Sequence, residues 1–363
     1  MILENRLLRA RQAMLRAQLD CLLLSPSSDM FYLSGVRTTP GADRTFLIIT
    51  ADAAHLFMPA FELGELERDT RSLLQLHGLG PSDDLIAEAA RILGGCAAAG
   101  VARLVPSWIT LSLMERCERC RFSDAQTLLG ALRVVKTQEE YRILKDVQIR
   151  SGKAFLQLLN AGVCGRTERE VMRMFITCSA EQGIDSKGPL VASGANTALP
   201  HHTPGDRVIR AGDVVFMDFG GADTRTLFRA DTTRTFAVKR APERLSEIYG
   251  IVLEANEAAM RAAKPGVPCR EVDAAARRII ARAGYAAYFT HGLGHGLGLD
   301  MHERPFLSPS ADETVAAGQV FSDEPGIYLP GEFGVRTEDI LYIRSMGAER
   351  LTELPHTLSV YDA

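Results

Sequence analysis

The sequence predicts an α+β domain that carries the chemistry, preceded by a smaller α/β domain. Three observations predict it. Over the first 125 or so residues, short apolar runs alternate with helical stretches. After Lys136 the chain changes character, and a long charged amphipathic helix begins. Beyond it the elements run helices, strands, helices, strands, an order that suggests a sheet covered by helices on one face. A chain of 363 residues is long enough for two ordinary domains. The change of character divides it into 1–130 and 131–363.

In the first region the apolar positions of MILENRLLRARQAMLRAQLD fit a helix with one buried face. CLLLS (21–25), TFLIIT (45–50), AHLFMP (54–59) and ARLVP (102–106) read as buried strands. Segments near 82–94 and 108–120 read as helices. Nothing in this region shows chemistry of its own. Cys117 and Cys120 form a CxxC, but no second ligand pair lies near them in sequence, so they read as two thiols on one turn of a surface helix. The second region opens with helices at about 138–160 and 167–182, the first with Thr137 as N-cap and Glu140 completing a capping box. A strand-rich stretch (189–238) follows, then helices at about 243–263 and 270–283, then strands and turns.

Hydrophobic residues make up 46% and charged residues 24%, as in ordinary globular proteins. A net charge of -4 gives no electrostatic case for nucleic acid or an anionic membrane. The first twenty residues lack the uninterrupted apolar core of a signal peptide. Seven scattered cysteines suit a reducing compartment. A cytoplasmic protein is the expectation.

The second region holds five side chains able to bind metal: Asp218 in VVFMDFG, Asp231 in RADTTRTF, His295 in HGLGHGLGL, Glu324 in FSDEPGIY and Glu338 in GVRTEDI. Four ionised carboxylates carry about four negative charges, and burying them uncompensated is very costly. Two divalent cations cancel that charge and leave a site able to activate water. Asp218 and Asp231 can face each other across a hairpin whose turn contains Gly220, Gly221 and Asp223. Arg336 shares a strand face with Glu338, so it can hold Glu338 or a bridging carboxylate. Asp323 and Asp339 should point to the opposite face. Singly, each of these short motifs is more often a turn than a site.

Together, NTALPHHTPGDR, GDVVFMDFG, ADTTRTF, HGLGHGLGLDMHERP, SDEPGIYLPGEFGVRTEDI and LTELPHTLSV resemble the pita-bread metallopeptidases, which include methionine aminopeptidase, aminopeptidase P and the Xaa-Pro dipeptidases (prolidases). The resemblance covers about 135–360. It extends more weakly over the N-terminal region, which is similar to the extra domain of aminopeptidase P, prolidase and creatinase. Methionine aminopeptidases lack that domain. The resemblance implies a pita-bread catalytic domain behind a creatinase-type N-terminal domain. It implies a dinuclear hydrolase that cleaves Xaa-Pro bonds, foremost in dipeptides, through a hydroxide shared between the metals. Aminopeptidase P action on longer peptides, or a non-peptidase use of the scaffold, is the alternative.

The resemblance also assigns roles. Asp218, Asp231, His295, Glu324 and Glu338 are the metal ligands, with Glu324 also the proton shuttle. His201 and His302 stabilise the developing oxyanion and position substrate. His291 lines the pocket, Arg336 contributes to substrate binding, and His202 sits at a variable position. Manganese or cobalt suits the oxygen-rich ligand set, and zinc is compatible with it. Relatives are commonly dimers, so a homodimer acting on small peptides is the expectation. A dipeptidase must read a free carboxylate, for which arginine is the natural partner. Among Arg37, Arg44, Arg225, Arg229 and Arg304, Arg229 is favoured because it precedes Asp231 by two residues and shares its face. One departure from the family pattern stands out. The two aspartates are thirteen residues apart, two more than the usual separation, and the lead-in is LFRAD. Two extra residues lengthen a hairpin without turning either ligand to the wrong face.

Overall fold

A computed structural model describes residues 2–38 and 44–361, and the statements that follow concern these. The chain divides into two compact units, Met1–Arg133 and Val134–Ala363.

In the first unit six strands form one sheet, in the order Gln75–Leu79, Ala54–Pro59, Phe46–Thr50, Cys21–Leu24, Ala98–Val101 and Arg121–Asp124. The apolar runs CLLL and FLII are wholly buried in its middle. The run at 102–106, expected as a strand, is a loop, and the strand lies just before it at Ala98–Val101. Val105 is buried all the same, so the apolar run reported burial but not extended backbone. The true strand, AAGV, is inconspicuous because its surroundings are crowded. A Cβ on Gly100 would lie 2.8 Å from Leu19 and 2.9 Å from Leu22. The edge strands Gln75–Leu79 and Arg121–Asp124 escaped the sequence reading because they are half-exposed and polar. Cys117 and Cys120, expected on a surface helix, are both buried, one at the end of helix Ser107–Arg116 and the other beyond it.

In the second unit, helix Gln138–Asn160 starts at the Thr137 cap, whose hydroxyl accepts from the Glu140 amide (3.2 Å) while the Glu140 carboxylate accepts from the Thr137 amide (2.8 Å). Helix Glu168–Glu181 repeats the device with Thr167 and Glu170. Both pack on one face of a sheet built around the hairpin Val214–Asp223 and Arg229–Val238. The hairpin alternates strictly. Val215, Met217, Phe219, Phe236 and Val238 enter the core beneath the helices. Asp218, Asp231 and Thr233 lie on the other face, with Asp218 opposite Thr233 and Asp231 opposite Gly220.

The two aspartates therefore share a face but sit diagonally, two positions apart along the ladder, and not directly opposite. The turn also lies further out than expected. Gly220 and Gly221 are inside the strand, where a Cβ on Gly220 would run into the Ala230 carbonyl and one on Gly221 would meet the Asp185 carbonyl at 2.7 Å. Asp223 closes the real turn, accepting from the amides of Arg225 (3.1 Å) and Thr226 (2.7 Å).

A second sheet runs Glu303–Leu307, Gly294–Gly296, Val320–Asp323, Asp339–Ile343 and Ala348–Arg350. Helices Leu245–Ala262 and Cys269–Arg282 cover it through Phe321, Leu341 and Ile343. Gly326–Tyr328 and Gly334–Arg336 form a small ribbon. Each sheet thus buries one face under helices, and Asp218, Asp231 and His295 lie on strands of the two.

Candidate metal centre

Ten of the residues singled out in the sequence line one cavity of about 650 Å³ in the second unit: His201, Asp218, Arg229, Asp231, His291, His295, His302, Glu324, Arg336 and Glu338. Asp231, His295 and Glu338 each offer a donor atom within 4.8 Å of the others. His295 Nε2 lies 3.3 Å from Glu324 Oε1 and 3.7 Å from Asp231 Oδ2. Its Nδ1 faces the Gly296 carbonyl at 3.2 Å, which leaves Nε2 for the cavity.

Each donor is held by neighbours the sequence did not announce. Gln148, from helix Gln138–Asn160, grips the Asp231 backbone at both ends, donating to its carbonyl (2.6 Å) and accepting from its amide (3.2 Å). The Thr233 hydroxyl donates to Glu338 Oε2 at 2.7 Å. The Ser322 hydroxyl donates to Glu324 Oε1 (3.0 Å) and accepts from the His295 amide (2.9 Å). All three went unread in the sequence; for Thr233 the signal available was its place two residues after Asp231 on the same strand face.

Arg336 holds Asp218 and not Glu338. Its Nη2 meets Asp218 Oδ2 at 2.6 Å, Nε meets the Thr233 hydroxyl at 3.1 Å, and Nη1 meets the Pro200 carbonyl (3.1 Å) and the Tyr328 hydroxyl (3.2 Å). The guanidinium, expected to touch substrate, has every nitrogen on a protein atom and is 2% exposed. Tyr328 in turn meets His291 Nε2 at 2.9 Å.

His201 is exposed on the cavity wall. Its neighbour His202 turns away, with Nε2 2.7 Å from Glu168 Oε2. Glu168, wholly buried at the start of helix Glu168–Glu181, also accepts from the Ser193 amide (2.9 Å) and hydroxyl (2.7 Å), the Asn196 side chain (2.9 Å) and the Gly205 amide (3.1 Å). One carboxylate thereby ties down the loop that carries His201. The His302 ring lies 3.9 Å from that of His295. Arg229, on the cavity wall, donates from Nε to the Leu299 carbonyl at 3.0 Å. Arg304 instead pairs with Glu313 at 2.5 Å. Asp323 and Asp339 lie outside the cavity wall, Asp339 pairing with Arg234 at 2.8 Å.

The electrostatics fit a cationic occupant. Burial, followed by the charge of Asp218, pushes the Asp231 carboxyl well above the usual carboxylate range, and burial with the charge of Asp231 does the same to Glu338. Burial alone would depress the His295 imidazole, but the hydrogen bond and charge of Glu324 outweigh it and raise the group to about 9. Without a cation, Asp231 and Glu338 are held towards their protonated forms. Divalent ions on these oxygen and imidazole donors would let both ionise.

Residues 142–345 match the model of metallopeptidase family M24, and residues 6–135 match the creatinase/prolidase N-terminal domain. The chain belongs to metallopeptidase family M24. It is 30% identical to an Xaa-Pro dipeptidase of Pyrococcus horikoshii over 98% of this chain and 99% of that protein. It is 33% identical to a probable dipeptidase PepE of Mycobacterium tuberculosis over 99% of this chain and 96% of that protein. Among solved structures, a recombinant prolidase from Thermococcus sibiricus superposes with a TM-score of 0.92 at 30% identity, covering 99% of each chain. The fold is the pita-bread catalytic domain with a creatinase-type domain before it, and the protein is a metal-dependent peptidase.

Proposed function

We propose that this metallopeptidase cleaves Xaa-Pro dipeptides with two divalent ions, manganese or cobalt, held by Asp218, Asp231, His295, Glu324 and Glu338. The observation that carries the reading is the convergence of these five donors, with His201, His291 and His302, in one cavity. The relatives named for Xaa-Pro dipeptidase or prolidase activity span nearly the whole chain. Bound ions would polarise the scissile carbonyl and activate water.

The chain's own groups do the rest. Glu324, held by Ser322, takes the proton of the attacking water and delivers it to the proline nitrogen, which has no N–H of its own. His201 and His302 donate to the oxygen that gains charge. His291, fixed by Tyr328, shapes the wall. Arg229 reads the product-side carboxylate. The protein acts as a cytoplasmic homodimer in this reading. Among the described residues, no helix is long and apolar enough to cross a membrane.

The test is a panel of Xaa-Pro, Xaa-Pro-Yaa and Xaa-Yaa peptides with manganese, cobalt and zinc. Xaa-Pro dipeptides should be cleaved best, and a chelator should abolish the activity. Better cleavage of the tripeptides would move the assignment to aminopeptidase P action. Activity indifferent to chelation would overturn it.

A further inference from the structure

His302 differs from His291 and His295 in how it is held. The His291 ring meets the Tyr328 hydroxyl at 2.9 Å, and the His295 ring faces the Gly296 carbonyl at 3.2 Å. Among the described residues, the His302 ring makes no hydrogen bond to protein; it lies beside the His295 ring, with centroids 3.9 Å apart. Its place is therefore set by the backbone of the loop that carries it, residues 297–302, which joins strand Gly294–Gly296 to strand Glu303–Leu307.

The two limbs of that loop are tied down differently. The first is held through backbone groups: the Leu297 amide donates to the Val320 carbonyl at 3.1 Å, and the Arg229 amide donates to the Gly298 carbonyl at 2.9 Å. The second is held by an ion pair. Glu303, which follows His302 directly, meets Lys136 Nζ through Oε1 at 2.5 Å, across 167 residues of sequence. The lysine side chain is 1% exposed and the glutamate side chain 9%. Separation would strand two charges in the interior, where each is costly unless paired, so the contact persists. The same carboxylate folds back over the first limb, since a Cβ on Gly298 would lie 2.5 Å from Glu303 Oε1. Lys136 is itself anchored. Its amide donates to the Gly318 carbonyl at 2.7 Å, and the Gly318 amide donates at 2.7 Å to the carbonyl of Ile343, the last residue of strand Asp339–Ile343. A chain of contacts thus runs from that strand through Lys136 to the residue beside His302.

We propose that Lys136 and Glu303 are a positioning pair for His302. Neither side chain lines the cavity. The pair fixes the backbone at Glu303, and with it the point from which His302 reaches the oxygen that gains charge. It rests on the reading of His302 as that donor. A donor misplaced by about 1 Å costs about a hundredfold in rate, so a pair that never touches substrate governs turnover.

Turnover of an alanyl-proline dipeptide by the manganese-loaded full chain tests this, with Lys136→Met placed both in the parent and in His302→Ala. In the parent, Lys136→Met should lower kcat about ten- to a hundredfold, with metal content and KM within about twofold. In His302→Ala it should cost less than about twofold further, because the residue it positions is gone. Lys136→Arg keeps the charge pair and should retain more of kcat than Lys136→Met. In the metal-free protein, the histidine ring-proton resonance that His302→Ala deletes should shift in Lys136→Met. Equal losses in the two backgrounds, loss of metal from Lys136→Met, or an unmoved resonance overturns the proposal. If Lys136→Met does not fold, Glu303→Gln takes its place in the same comparison. His302→Ala at the parental kcat would remove the role of His302 and the pair's role with it, whereas a slow His302→Ala beside a Lys136→Met of parental kcat removes the pair's role alone.

Discussion

Arg336→Lys separates charge from geometry at the centre. Arginine reaches Asp218 at 2.6 Å while it also holds Thr233 at 3.1 Å, the Pro200 carbonyl at 3.1 Å and Tyr328 at 3.2 Å. A lysine ammonium keeps the positive charge near the carboxylates, so the field on the site changes little. It cannot span these partners at once, because it is a point donor and not a planar fork. If it stays with Asp218, then Thr233, which also orients Glu338, loses its partner. If it stays with Tyr328, Asp218 is released. One hydrogen bond to a charged group contributes about 1.5–3 kcal/mol. At about 1.4 kcal/mol per tenfold, metal affinity should fall by about ten- to a hundredfold, the range found when partners of metal ligands are replaced. Dialysis against buffered manganese or cobalt reads the affinity, and turnover at saturating metal reads what remains. A melting curve without metal controls for folding. Affinity and turnover both within about twofold of the parent would refute the claim that Arg336 orients Asp218.

Asp231→Asn should strip a ligand charge and cost most of the metal and most of the activity. Two retained ions with normal turnover would remove Asp231 from the ligand set. His302→Ala should lower kcat with metal content unchanged, whereas His295→Ala should lower both, and equal metal loss in the two variants would contradict that division. Arg229→Ala should raise KM for Xaa-Pro dipeptides more than for Xaa-Pro-Yaa tripeptides, and equal effects would dismiss it as the carboxylate reader. The metal-free protein should lose stability as pH rises. His295 is raised from 6.5 to about 9 in the folded chain, so its contribution is full below 6.5 and fades as pH passes 9. The raised carboxyls of Asp231 and Glu338 act in the same direction, since folding without metal favours their protonated forms. Scanning calorimetry between these pH values should show a falling Tm that added divalent ion restores; a Tm that rises with pH would show that the cluster does not control it.

The donors were legible because a carboxylate or imidazole between glycines and strand residues announces itself, and because two extra hairpin residues preserve which face Asp231 occupies. What positions them was not legible. Gln148 looks like any polar residue of an amphipathic helix, and its grip on Asp231 spans 83 residues of sequence. Gly220 and Gly221 were read as turn formers, yet they serve close approach of Ala230 and Asp185 inside a longer strand. The strand Ala98–Val101 hid behind small residues chosen for crowding, and the louder apolar run beside it is a buried loop.

The knot at Glu168 changes how recognition is timed. Loops that touch substrate often become ordered only when substrate arrives, and the lost conformational freedom then weakens binding. Here a carboxylate at the mouth of a helix draws Ser193, Asn196, His202 and Gly205 together through the chain's own atoms. The ordering cost of the segment around His201 falls on folding. A dipeptide has few atoms with which to offset such a cost, so a peptidase for very short substrates gains most from a wall that is already still.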